Sequence, residues 1–162
     1  FPADSFDNVA GRCKALTNRF QDEGRDTAFH AIWSNQCIEL WFLLHFDYMH
    51  ANITRDEYRK RLSACIGRHY EKADATVFAQ LRPKLNTAVK NAKRLMAEYN
   101  AEFPPSRRAP ATNVYELIEY LMVSARLFIF DDREVGSRQK DVSPALLLYK
   151  ALTFALFHPE AI

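Results

Sequence analysis

The sequence predicts an α/β protein that is predominantly helical, with one clear strand at about residues 27–33. Three observations carry this expectation. Apolar residues recur at helical spacing through most of the chain, and a single short aromatic and β-branched run, TAFHAIW, interrupts them. The 162 residues include 48% hydrophobic, 26% charged and 13% aromatic side chains. That profile is globular and excludes a disordered or collagen-like chain. The length suits one ordinary domain and is short for two well-cored ones.

Each element follows from local chemistry. Between residues 6 and 20, Phe6, Val9, Ala10, Cys13, Leu16 and Phe20 repeat at helical spacing, and Asp-Glu-Gly at 22–24 supplies a stop near Gly24. Residues 27–33 read as a strand leading into a Ser-Asn turn. Residues 37–48 (CIELWFLLHFDY) are apolar on nearly every side, as a core helix would be, with Ser34 or Asn35 available as its N-cap. At residue 54 a Thr-x-x-Glu box opens another helix, Asp56 and Glu57 answer its dipole, and Gly67 ends it. A shorter helix over about 74–81 stops before Pro83. Residues 84–99 follow, with Leu85, Val89, Ala92, Met96 and Tyr99 on one stripe and Lys90, Lys93 and Arg94 opposite. The proline-rich stretch 102–111 reads as a loop, and Thr112 or Asn113 caps a helix beginning VYELIEYLM. Residues 126–130 (RLFIF) suit either a strand or the end of that helix. After them comes a charged loop, then a strongly apolar helix over about 144–157 with Pro144 at its first turn. Such a helix packs on the domain, pairs with another chain or invites aggregation.

The overall charge of +2 conceals a local imbalance. Residues 1–54 carry a net −3, residues 55–108 a net +7 and residues 109–162 a net −2. A basic middle third is either a solvated face or an electrostatic footprint for phosphate. Three cysteines, Cys13, Cys37 and Cys65, at wide spacing support neither a disulfide scaffold nor a CxxC zinc site; reduced thiols in a cytoplasmic protein are the simpler reading. The most apolar stretches, 37–46 and 145–157, are shorter than the ~18 residues needed to cross a bilayer, so no membrane is expected. The chain opens at Phe1 with no visible secretory signal, and reads as a piece of something longer.

For chemistry, residues 34–36 fall just past the carboxyl end of the expected strand, where open α/β sheets place their sites. Glu39, one helical turn after Asn35, would share an edge with it. It is either an N-terminal carboxylate answering a dipole or a nearby Arg, or a buried acid that binds metal or moves a proton. Both readings demand a partner, because an unpaired buried charge costs several kcal/mol. His45 lies about 120° around the helix from Glu39 and reads first as a core histidine. His30, His50, His69 and His158 have no metal-ligand spacing, and neither GxxxxGK[ST] nor GxGxxG occurs. Asp131 and Asp132 suit a solvated loop start better than a metal pair.

The run HAIWSNQCIELWFLLHFDYM, with SFDNV upstream and YEKADATVFAQL and PATNVYELIEYL downstream, resembles the RloB-like proteins, restriction-linked bacterial proteins with a Toprim-related domain. The resemblance covers about residues 1–123 and leaves 124–162 as an unmatched tail. Its signature, SNPxFExWxLLH, falls on Ser34, Asn35, Glu39 and His45, with Gln36 and Ile38 replacing the family's Pro and Phe. It implies a partial Toprim-like domain with a helical C-terminal part. It also implies a Mg²⁺-dependent nuclease acting against phage or foreign nucleic acid, whose metal-binding Glu and Asp-x-Asp would precede Phe1. Ser34, Asn35, Glu39 and His45 would then border the catalytic centre, while Arg61, Lys72, Lys90, Lys93 and Arg94 would hold RNA or DNA backbone. An alternative is a non-catalytic module that scaffolds a partner ATPase. A homo-oligomer through residues 143–162 is a further expectation.

Overall fold

Every apolar face of the segment after Asn35 has to be covered, and the fold is arranged to cover it. The computed structural model describes residues 3–72 and 74–131, with side chains from Phe6 to Val123. Its elements are α1 (Ala3–Asp22), β1 (Ser34–Asn35), α2 (Ile38–Leu43), α3 (Arg55–Ile66), α4 (Thr76–Leu81), α5 (Leu85–Met96), β2 (Ala111–Thr112) and α6 (Val114–Asp131). Short 3₁₀ turns at Arg82–Lys84 and Pro105–Arg107 join them. The protein is thus predominantly helical, with one small antiparallel ladder in which Ser34 faces Thr112 and Asn35 faces Ala111.

At the centre is α2, where every residue from Glu39 to Leu44 is buried. Around it pack Tyr58, Leu62 and Ile66 of α3, Val77 and Leu81 of α4, Ala88, Ala92 and Leu95 of α5, and Val114 and Ile118 of α6. The fully buried residues of α5 are Ala88, Ala92 and Leu95, while Leu85 and Val89 of the expected stripe pack half-buried against the same core and Met96 and Tyr99 are half-buried. Two alanines let the α5 backbone approach α2 closely, and the larger neighbours flank that contact.

Local signals explain α3 fully. Thr54 Oγ1 accepts from Glu57 N–H at 3.3 Å, and Gly67 closes the helix at φ 74°, a left-handed conformation that favours glycine. By contrast, α2 stops at Leu43 and does not reach residue 48. Its last turn tightens through His45 N–H to Phe42 O and Phe46 N–H to Leu43 O, and the Asp47 carboxylate accepts from Tyr48 N–H at 2.7 Å. Asp47 therefore competes with the helix for its own backbone. Residues 126–130 continue α6. The expected helix over 144–157 lies outside the described residues.

The strand expected over residues 27–33 is not there; the ladder is confined to Ser34–Asn35. Side chains, together with the Asn113 backbone N–H that donates to Trp33 O at 3.1 Å, take its hydrogen bonds instead. Thr17 Oγ1 accepts from Phe29 N–H at 2.8 Å. Asn113 imitates a neighbouring strand, accepting from Trp33 N–H at 2.7 Å and donating to Ala31 O at 2.9 Å. These bonds fall on Phe29, Ala31 and Trp33, alternate residues of the segment, and no strand forms there because Thr17 and Asn113 take the groups a neighbouring strand would pair with.

Candidate functional site

Glu39 sits in the first turn of α2 with only 1% of its surface exposed. Its Oε1 faces Arg59 Nε of α3 at 3.5 Å, an ion pair without hydrogen-bond geometry, and Arg59 also reaches Asp56 at 3.6 Å. Arg59 is 44% exposed at its side chain, so the pair joins a buried anion to a cation that still touches water. The Cys37 thiol lies beside the same carboxylate. Burial first, then the charge and hydrogen bond of Glu39, push it up to about 12, so it stays protonated at neutral pH. Tyr70 is buried with no partner on its hydroxyl, and burial followed by the Glu39 charge holds it well above its usual range. These groups form a polar cluster around one buried carboxylate, open to water on the Arg59 side.

The other signature residues serve the frame. Ser34 Oγ donates to Cys37 O at 2.8 Å, and Asn35 Nδ2 donates to Pro105 O and Ser106 O at 3.1 and 3.3 Å. Neither caps α2, whose N-cap is Cys37 without a side-chain bond. Asn35 and Glu39 therefore do not share a helical edge: Asn35 lies in β1, ahead of the helix, and turns to the 105–107 turn while Glu39 turns to α3. His45 is 1% exposed; its Nδ1 lies 2.9 Å from Trp41 O and its Nε2 has no partner. Burial lowers its pKa to about 4, so the ring is neutral, donates through Nδ1 and packs edge-on against Trp41 at 5.0 Å.

The basic residues divide into two kinds. Lys93 is paired with Glu119 at 2.6 Å and rests 5.6 Å over the Tyr115 ring. Arg61 pairs with Glu57 at 3.4 Å and points a second nitrogen at Met49 Sδ, 3.7 Å away. Arg94 lies 3.9 Å over the Tyr48 ring. Lys90 is exposed on α5, one turn before Arg94, and makes no ion pair among the described residues. Lys72 is exposed on the turn between α3 and α4. Sequence reasoning missed Lys84, which sits 4.1 Å over the Phe46 ring, and His50, which stacks on Tyr48 at 5.6 Å. The available signal was the alternation of aromatic rings at residues 46, 48 and 50 directly before the basic stretch. Arg59, the partner of Glu39, and Asn113 were missed because only the packing of distant elements brings them in.

A Mg²⁺ ion does not fit the described signature residues. Among the described residues no group of three or more His, Cys, Asp or Glu side chains could hold a metal. Glu39, the one buried carboxylate among the described residues, is already faced by a guanidinium and a thiol. No described helix is long and apolar enough to cross a membrane.

The fold and surface thus define a mostly helical protein with a basic, aromatic flank beside a polar-centred core. The model of the RloB-like protein family matches residues 3–121, and the chain belongs to that family. No curated protein and no solved structure matches it.

Proposed function

We propose that this chain is the nucleic-acid-binding part of a Mg²⁺-dependent nuclease of Toprim type that acts in bacterial defence against phage or foreign nucleic acid. The observation that carries the reading is the flank where Arg61, Lys84 and Arg94 stand around the aromatic loop at residues 46–50, with Lys90 exposed on α5 one turn before Arg94. Cations beside half-buried rings at a surface loop suit a ligand that is both polyanionic and aromatic. The metal-binding acids would come from another part of the protein, and Ser34, Asn35, Glu39 and His45 would border the centre they form. Their role in this reading is to hold the flank in place. The experiment is binding of labelled RNA and DNA oligonucleotides as salt is raised. With Lys90, Lys93 and Arg94 changed to Ala, affinity should fall at least tenfold and the salt dependence should flatten by about one phosphate contact or more. Unchanged affinity and slope would refute it.

A second reading has its own support. All four signature side chains are engaged in holding the frame or packed within it, as in a non-catalytic module that scaffolds a partner ATPase. On that reading the longest natural form of the protein cleaves neither RNA nor DNA with Mg²⁺ present. Cleavage that a chelator abolishes would decide for the nuclease.

A further inference from the structure

The loop following α2 alternates rings and is edged with cations. Phe46 carries Lys84, Tyr48 carries Arg94, and Met49, between Tyr48 and His50, carries Arg61. The arrangement at Tyr48 is the most ordered of these. Its ring lies beneath the Arg94 guanidinium at 3.9 Å and stacks on the His50 imidazole with the planes 29° apart. Its hydroxyl donates to Glu98 and its backbone N–H donates to Asp47, so the ring is fixed before anything binds. Arg94 and His50 are exposed while Tyr48 is half-buried.

We propose that the Arg94–Tyr48–His50 stack is a base-stacking site for single-stranded nucleic acid, with Arg61, Lys84 and Lys90 taking backbone phosphates. This deepens the nucleic-acid reading above and rests on it. Two arguments select a single strand. A planar group stacks on an unpaired base, whose π-face is open, whereas bases within a duplex are already covered by their neighbours. The patch is also poorly suited to holding a duplex by charge alone. Glu57, Asp47 and Glu98 stand among its cations, leaving a small surplus of positive charge. Stacking has to supply what Coulomb attraction does not. Because the rings are pre-ordered by Glu98, Asp47 and Arg94, a base adding to the stack forfeits little side-chain freedom.

The test uses the full chain and fluorescein-labelled twelve-nucleotide oligoadenylate, as RNA and as DNA, against a duplex of the same length. The single strands should bind more tightly than the duplex. His50→Ala, a change at an exposed position, should weaken single-strand binding by about tenfold while leaving the salt slope unchanged. His50→Trp should restore it, which a merely structural role would not predict. Tyr48→Leu should match His50→Ala; should circular dichroism show that variant unfolded, His50→Ala decides alone. Equal binding of duplex, wild-type affinity in His50→Ala, or no rescue by His50→Trp overturns the stacking site. The two readings separate cleanly. If Lys90→Ala with Lys93→Ala weakens binding and His50→Ala does not, the nucleic-acid reading stands and the stack falls. If no oligonucleotide binds, both fall.

Discussion

A carboxylate as deeply buried as Glu39 persists only because Arg59 faces it, and the two are held by different helices. Arg59→Ala would leave that charge without its counterion. The expected loss is about 2 kcal/mol, below the ~3–5 kcal/mol of a fully enclosed pair because half of Arg59 is already solvated. Urea unfolding measures it, and pairing Arg59→Ala with Glu39→Gln should recover part of the loss, since the orphaned charge is then gone. His45 sets a pH dependence of definite sign. Its folded-state pKa, about 4, lies below the ~6.5 of an unfolded histidine. Above pH 6.5 both states are neutral at this ring and nothing is linked. As pH falls from about 6.5 toward 4, the unfolded chain takes up a proton that the folded ring refuses. Stability should therefore drop through that window, by on the order of 3 kcal/mol at its lower end. Urea midpoints at pH 7 and pH 4.5 test this, and a His45→Gln protein should show a visibly smaller difference between them.

At the scale of elements, legibility tracked how local the deciding interactions were. The bounds of α3 could be read because Thr54, Glu57 and Gly67 lie within the helix or one residue beyond it. The end of α2 was misjudged because Asp47 and Asn91, which donates to Leu44 O at 2.9 Å, draw the backbone out of the helix. The segment at 27–33, expected as a strand, shows the same limit more sharply, since its partners, Thr17 and Asn113, are 12 and about 80 residues away along the chain. Asn113→Ala removes both the acceptor for Trp33 N–H and the donor to Ala31 O. We expect a loss of about 1–3 kcal/mol. Hydrogen exchange at the Trp33 amide should accelerate more than exchange at Leu62, in the middle of α3, which isolates the effect to this clamp. Equal acceleration at both positions would mean that the clamp has no local role.

For the molecule as a whole, family membership rests on residues 3–121, and α6 carries the backbone on to Asp131. The apolar segment at 143–162 remains a proposal for self-association. If it pairs two copies, sedimentation of the whole chain gives a dimer, and Leu147→Glu together with Phe154→Glu gives a monomer of unchanged helicity. A monomer in both cases rejects it. Local sequence suffices for the predominantly helical class, the caps of α3, the burial of α2 and the need for a partner to Glu39, because periodicity, capping and desolvation act over a few residues. Tertiary structure alone decided that the partner is Arg59, that Asn113 takes the place of a neighbouring strand, and that Arg94, Tyr48 and His50 stack. Those contacts join residues whose proximity depends on how helices pack, and packing geometry is a property of the whole chain.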